Sequence, residues 1–187
     1  LGKVVFKTLI VVDNNEQRIA QNFENVITFD TYLRDYPKHN EPKTRILNLC
    51  DTGQYLSKGY YCSLLAEARK HQVLPSVKTI NALRSDEHST RHKELAGGTV
   101  FFGHTDKEQQ SKATKALFSQ YPAPILVCDE QGVVKQGTIA SLDDTGFTEF
   151  VKQLSSFTES VWRIHDKKRR YRWDMAILVD HQEKVPP

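Results

Sequence analysis

The chain has 187 residues, enough for one domain with a sizeable hydrophobic core. Charged residues make up 26% of it and the formal net charge is only +3, so no broad nucleic-acid-binding face is indicated. No run of about 18 apolar residues occurs, which argues against a membrane-spanning helix. The three cysteines, Cys50, Cys62 and Cys128, lack metal-ligand spacing, and their odd number favours reduced thiols in the cytoplasm.

Short strands and helical segments alternate in the first part of the chain. Thr8–Asp13 is rich in β-branched residues and predicts a buried strand, and Asn25–Asp30 predicts a second one. Asp30 is predicted to cap a short helix, TYLRDY, which Pro37 must end. The mostly apolar run RILNLC predicts the third strand.

The strongest helix signal follows that third strand, in the segment KGYYCSLLAEARK. Leu64, Leu65 and Ala68 are predicted to form its buried stripe, while the charged residues of its last turns face water. Pro75 ends the helical pattern. The segment VKTINALR after it predicts a short helix or an extended turn.

The second half of the chain adds antiparallel pairing to this pattern. Thr99–Gly103 predicts a strand that precedes a helix near Lys107–Gln120, and Ile125–Ile139 predicts a β-hairpin turning at EQG. The last helix starts at Asp143 and Asp144, where a cap is expected. The fold class is therefore predicted to be α/β, a layered, three-layer-like domain with a mixed, mainly parallel central sheet.

The amino-acid composition of the chain changes after residue 160, where a basic cluster follows. Residues 1–160 are predicted to form the α/β domain, whereas residues 161–187 read as a basic linker and the start of another domain. Seven cationic or potentially cationic residues lie between Arg163 and Arg172, with Trp and Tyr interleaved, so a nucleic-acid-binding module is one alternative. The rest of the chain is nearly neutral, which disfavours nucleic acid as the partner.

A loop rich in polar and aromatic residues, DTGQYLS, joins the third strand to its helix. Its glycine and lysine are in the wrong order for a P-loop, and no Ser or Thr follows them directly, so a P-loop is excluded. Ligands bind at the carboxyl ends of strands in open α/β sheets, and a helix start offers N–H groups to an anion. Two interpretations stay open here: a ligand-binding loop, or a tight polar connection with its tyrosines folded onto the sheet.

The sequence gives weaker evidence for a zinc site and for a catalytic cysteine. His88 and His92 are one helical turn apart, but no third zinc ligand is evident, so a solvated loop is preferred. Cys62 lies in the first turn of the predicted helix, where a nucleophile would be activated, yet the sequence places no base beside it. No catalytic residue and no metal ligand is assigned.

The segment NLCDTGQYLSKGYYCSLLAEARKHQVLPS resembles the signature of the domain that precedes RimK-like ATP-grasp ligases. The resemblance rests on Asn48–Cys50, Tyr55, Gly59–Arg69 and Leu74–Ser76, and MAILVDHQEKVPP is similar to the family's run into its ATP-grasp domain. It implies a larger enzyme that uses ATP and Mg²⁺ to join a carboxylate to an amine through an acyl phosphate. This chain begins with Leu, so it is expected to be a piece of that enzyme that does not catalyse the reaction alone.

For the front domain, the resemblance implies substrate recognition or docking. The loop and the first helix turns are expected to bind an acceptor, a peptide or an amino-acid carboxylate, through Asp51, Gln54, Tyr55, Lys58, Gly59, Tyr60, Tyr61, Ser63, Glu67 and Arg69. The alternatives are a purely structural scaffold for the C-terminal ATP-grasp domain, or a domain that forms a homo-oligomer. No cofactor is expected here, since ATP and Mg²⁺ would belong to the ATP-grasp domain.

Overall fold

The computed structural model of the protein describes residues 6–14, 16–37, 43–85, 91–105 and 111–159. Strands and helices alternate over these residues. The strands are β1 (Lys7–Val12), β2 (Val26–Thr28), β3 (Thr44–Asn48), β4 (Gln72–Leu74), β5 (Thr99–Phe101), β6 (Ile125–Cys128) and β7 (Val134–Gln136). The α-helices are α1 (Gln17–Ala20), α2 (Phe29–Asp35), α3 (Lys58–Ala68), α4 (Val77–Arg84), α5 (Ser111–Gln120) and α6 (Asp144–Glu159), with 3₁₀ turns at Lys93–Leu95 and Ile139–Ser141.

The first four strands form a parallel sheet in the order β2-β1-β3-β4. The two central strands, β1 and β3, are almost continuously apolar because both faces of the sheet are covered. Strand β4 is not predicted by the sequence pattern, since its three residues lie immediately after α3. Its position depends on a long-range pairing, in which Leu74 lies opposite Leu47 of β3.

A second sheet contains β5, β6 and β7 in antiparallel order. The predicted hairpin is confirmed, and Asp129 shapes its turn by accepting hydrogen bonds from the N–H groups of Gln131 and Val133, both at 2.9 Å. The α/β fold with parallel and antiparallel pairing is therefore confirmed. The two kinds of pairing, which were expected within one mixed sheet, divide between two sheets.

Side chains of β1 alternate between two hydrophobic cores. Leu9 and Val11 face helices α2 and α3, whereas Ile10 and Val12 face α6 and the second sheet. A third core lies on the opposite face of the second sheet, where Leu117 of α5 packs near Leu126. The parallel sheet is thus covered on both sides, as a layered α/β domain requires.

Two helix starts test the capping predictions. Asp143 accepts a hydrogen bond from the N–H of Gly146 at 2.7 Å, which confirms the cap at α6. The cap predicted at Asp30 is wrong, because Asp30 already lies inside α2. Thr28 caps this helix instead, by accepting from the N–H of Thr31 at 3.2 Å.

The buried stripe predicted for α3 is also wrong. The residues that α3 buries are small ones: Gly59, Cys62, Ser63 and Ala66. Leu64 is exposed, Leu65 is half-buried and Ala68 is exposed. Small side chains on the inner face let the helix axis approach the sheet closely, and this leaves Leu64 exposed and Leu65 at the edge of the core.

Some predictions fall on residues that the structure does not describe. His88, the basic segment 163–172 and all of residues 161–187 lie outside the described residues, so the domain boundary at 160 stays a prediction. The described helices include none with the length and apolar content that a membrane crossing requires.

Candidate recognition surface at the β3–α3 loop

The loop of residues 49–57 leaves the carboxyl end of β3 beside the carboxyl end of β1. From β1 the chain turns towards β2, and from β3 it turns towards β4, so the loops after these two strands diverge. Asp51 joins them by donating its backbone N–H to Asp13 Oδ2 at 3.1 Å. Such a switch point is where open α/β sheets bind ligands.

Helix α3 is attached to β3 through a buried polar network. Asn48 Nδ2 donates to the carbonyl of Gly59 at 2.7 Å and lies 2.9 Å from Ser63 Oγ. Ser63 Oγ in turn donates to the carbonyl of Pro75 at 2.6 Å. A Cβ at Gly59 would lie 2.3 Å from the carbonyl oxygen of Asp51, so only glycine fits here. Gly59 and Ser63 therefore lie in the interior.

The middle of the loop is held by residues from distant parts of the chain. Arg84, at the end of α4, donates to the carbonyl of Thr52 through Nε at 3.1 Å and Nη2 at 2.7 Å, and Nη2 also donates to the carbonyl of Gln54. The Arg84 guanidinium lies 5.5 Å from the ring centroid of Tyr60. Thr52 Oγ1 also donates to Gln136 Oε1 on β7. The loop is therefore fixed from two sides.

Hydrogen bonds within the segment complete its structure. Gly53 N–H donates to Asp51 Oδ1 at 2.7 Å, and Ser57 N–H donates to the carbonyl of Gln54 at 3.2 Å. Ser57 Oγ then caps α3 by accepting from the N–H of Tyr60 at 3.3 Å. The backbone of this loop is thus ordered by its own contacts.

Within this ordered backbone, several large apolar side chains remain exposed. They are the five exposed large hydrophobics among the described residues: Leu33 (51%), Tyr55 (80%), Leu56 (48%), Tyr61 (44%) and Leu64 (41%). Tyr61 and Leu64 are neighbours one turn apart on α3. Helix α2, which carries Leu33, packs against α3. We call these five residues the loop–helix surface.

Leu56 adopts an uncommon backbone conformation. Its φ is +56°, in the left-handed region that disfavours side chains with a Cβ. A leucine at this position is therefore conformationally costly, and its side chain is only half covered. Backbone strain of this kind often occurs at functional sites.

Two of the predicted binding residues connect α3 to its neighbours. Glu67 Oε1 accepts from the N–H of Val77 at 2.8 Å, at the start of α4. Arg69 donates to the carbonyls of Tyr32 at 2.7 Å and Leu33 at 2.9 Å, at the end of α2. These contacts give both side chains a structural role.

The other predicted residues lie near the protein surface. Asp51, Gln54, Tyr55, Lys58 and Tyr61 are exposed on the loop and the first turns of α3, and Tyr60 is half-buried. Lys58 Nζ lies 3.8 Å from Asp30 Oδ1, and both side chains are about half exposed, so this ion pair is weak. A binding role for these residues stays a prediction.

The sequence missed Arg84, Leu33, Leu56 and Leu64 as members of this region. Arg84 is thirty residues from the loop carbonyls that it contacts, and no motif spacing indicates that approach. The leucines were assigned to the core or to no site because hydrophobicity alone does not distinguish a core face from a partner-binding face.

Groups of the protein itself pack against the first turn of α3. The Asp51 carbonyl and the Thr52 side chain pack against Gly59. The N–H of Tyr60 donates to Ser57 Oγ. Among the described residues, no group of three or more His, Cys, Asp or Glu side chains is placed to share a metal ion. Cys62 is fully buried and belongs to the same hydrophobic core cluster as Cys50.

These features define a class: an α/β domain with exposed apolar side chains on the loop at the switch point of its parallel sheet and on the helices α2 and α3. The model of the RimK-like ATP-grasp N-terminal domain matches residues 29–160, which is most of the chain. The chain therefore belongs to the RimK-like ATP-grasp N-terminal domain family, and the resemblance in the sequence is confirmed. No curated protein and no solved structure matches the chain.

Proposed function

We propose that this chain is the accessory N-terminal domain of an ATP-dependent carboxylate–amine ligase, and that the loop–helix surface docks it onto the ATP-grasp domain of the same enzyme. The observation that carries this proposal is the 80% exposure of Tyr55 on a loop whose backbone is fixed. Small-molecule sites enclose their ligand with the side chains that line them. An exposed tyrosine on a fixed backbone, followed directly by the half-exposed Leu56, instead suits a protein partner.

Within this proposal the chemistry belongs to the partner domain. ATP and Mg²⁺ would bind in the ATP-grasp domain, where they supply the acyl phosphate. The residues described here would place that domain and exclude water from the interface, with Tyr55, Leu56 and Tyr61 as anchors. The three free thiols suit a reducing compartment, so we place the ligase in the cytoplasm.

The test uses the full-length ligase with Tyr55→Ser. We expect kcat for amide formation to fall about tenfold or more, and calorimetry to show two unfolding transitions where the wild type shows one, since an interface anchor is lost. The acceptor KM should stay unchanged. Lys115→Ser, at an exposed position of α5, is the control and should leave kcat and calorimetry unchanged. Wild-type kcat and a single transition in Tyr55→Ser would remove the proposal.

Recognition of an acceptor is the second candidate function. The observation that favours it is Lys58, whose ammonium is half exposed beside the start of α3 and could pair with an acceptor carboxylate. The double variant Lys58→Ala with Tyr60→Ala should then raise the acceptor KM with kcat preserved. An unchanged KM in a folded double variant would dismiss this function.

Self-association of the chain through the loop–helix surface would give a different experimental result. If the surface pairs two copies of the chain, light scattering will show a dimer that Tyr55→Ser converts to monomer. Docking within one enzyme predicts the same mass for wild type and variant. The two assemblies are therefore distinguished by the mass in solution.

A further inference from the structure

Arg84 contacts the β3–α3 loop in a way that no other described side chain does. Its guanidinium donates to two carbonyls two residues apart, Thr52 and Gln54, and its Cζ lies 5.5 Å from the centroid of the Tyr60 ring. The Gln54 carbonyl immediately precedes Tyr55, and the Thr52 carbonyl is two residues earlier. A planar fork of this kind holds its acceptors in one geometry, which a lysine ammonium cannot do.

Arg84 contacts the loop in a conformation that the loop would not favour alone. Leu56 has a φ of +56° and is about half exposed, and Tyr55 is 80% exposed. Little local packing therefore opposes a change at Tyr55. The local bond from Ser57 N–H to the Gln54 carbonyl and the long-range contacts to the Thr52 and Gln54 carbonyls and to Thr52 Oγ1 together hold the segment in place.

We propose that Arg84 is a positioning residue that holds the Tyr55–Leu56 tip exposed, with Leu56 in its left-handed conformation, for docking. This inference rests on the proposed docking function. By fixing the tip before the partner arrives, Arg84 would remove the cost of ordering the loop on binding. Losing Arg84 would then weaken docking although Arg84 itself need not touch the partner.

The first experiment measures amide hydrogen exchange in the full-length ligase with Arg84→Ala. The amide of Ser57, which donates to the Gln54 carbonyl, reports on the loop, and the amide of Gly146, capped by Asp143, is the internal reference. We expect exchange at Ser57 to rise about tenfold or more, with Gly146 unchanged. Lys78→Ala, which removes an exposed cation from the same helix, is the matched control and should alter neither amide.

Chemical rescue distinguishes positioning from general support of the fold. Arg84→Lys keeps the charge but loses the fork, so its loop should exchange about as fast as that of Arg84→Ala. Guanidinium ion, added far below denaturing concentrations, should restore protection in Arg84→Ala and have no effect on Arg84→Lys. Full protection in Arg84→Lys, or no rescue by guanidinium, would overturn the positioning role.

The second experiment asks whether the loosened tip docks less well. Arg84→Ala should lower kcat and split the calorimetric transition, as is expected for Tyr55→Ser, and guanidinium should reverse both effects. If Tyr55→Ser impairs docking and Arg84→Ala does not, the inference about Arg84 fails and the docking function stands. If neither variant impairs docking, the docking function itself fails. Unchanged exchange at Ser57 in Arg84→Ala overturns the inference whatever the activity.

Discussion

The side-chain amide of Asn48 donates to the backbone carbonyl of Gly59 at 2.7 Å, across the contact between strand β3 and helix α3. The same amide group lies 2.9 Å from Ser63 Oγ, while Asn48 Oδ1 accepts from the N–H of Cys50 at 3.0 Å. Asn48 is fully buried. One side chain therefore fixes the end of β3, the first turn of the loop and the start of α3 relative to one another.

Replacing Asn48 should be strongly destabilising. Asn48→Ala leaves buried polar groups at Gly59, Ser63 and Cys50 without this partner, and we expect a loss of about 2–4 kcal/mol in the free energy of unfolding. Asn22→Ala is the matched control, because its amide donates to the Arg18 carbonyl on the exposed surface. It should cost less than about 0.5 kcal/mol in the same urea titration. Equal losses for the two variants would contradict the role given to Asn48.

The two glycines of the loop region should respond very differently to alanine. A Cβ at Gly59 would lie 2.3 Å from the Asp51 carbonyl oxygen and 2.8 Å from Thr52 Cγ2, so Gly59→Ala must displace the loop. We expect a loss of about 2–3 kcal/mol. At Gly53 the nearest atom is Asp51 Oδ1 at 3.1 Å, the end of a movable side chain, and Gly53→Ala should cost less than about 1 kcal/mol.

Urea denaturation of both alanine variants checks this contrast. The exchange of the Ser57 amide should also rise in Gly59→Ala and not in Gly53→Ala, because only the first substitution pushes on the loop backbone. A Gly59→Ala chain with wild-type stability would show that α3 can move away from Asp51 freely.

Local signals in the sequence predicted most of the fold. The apolar runs of β1 and β3, the hairpin and the Asp143 cap of α6 each depend on residues that are close in sequence, and each was found. Strand β4 was not predicted, because three residues after a helix become a strand only through their pairing with β3. The prediction of the buried face of α3 was wrong, because the leucines were taken to mark the side that packs in the core.

The candidate site was predictable only in its location. The carboxyl end of β3 follows from the strand–loop–helix order, and Tyr55 and Lys58 are exposed there. Arg84 reaches the loop only because α4 follows the unpredicted β4. The difference between Leu64 outside and Cys62 inside depends on how closely α3 packs, which no pattern of hydrophobicity records.

Leu56→Asn should separate stability from function. Asparagine tolerates the left-handed region better than leucine, so relief of strain at φ +56° should leave the free energy of unfolding unchanged or raise it by up to about 1 kcal/mol. Leu64→Asn, at an exposed helical position of α3, should lower it by about 0.5 kcal/mol through helix propensity. Both variants remove an apolar side chain from the loop–helix surface, and both should impair docking.

Urea titration of the two asparagine variants checks that their free energies of unfolding change in opposite directions. The kcat of the ligase is then measured for each variant. If Leu56→Asn loses as much stability as Leu64→Asn, the leucine is not strained in solution. If Leu56→Asn keeps full kcat, the side chain is not an anchor of the interface.

The buried thiol of Cys50 predicts how stability depends on alkaline pH. The neighbouring Cys62 and burial raise the pKa of the Cys50 thiol above its ordinary value of 9.0. In the unfolded chain this thiol ionises above about pH 9, whereas in the folded chain it keeps its proton. Its contribution to stability is therefore complete below that pH and is lost as the pH rises, by up to about 1.4 kcal/mol per pH unit.

The measurement compares the free energy of unfolding at about pH 8 and about pH 10 in urea. Cys50→Ala should lose roughly 1 kcal/mol less than the wild type between these two pH values, because the unfolded variant has one thiol fewer to ionise. Val11→Ala is the control: its carbonyl accepts from Cys50 Sγ at 3.8 Å, it is equally buried, and it does not titrate. The control should show the full wild-type loss. The same loss in Cys50→Ala would mean that this thiol ionises as readily in the folded chain as in the unfolded one.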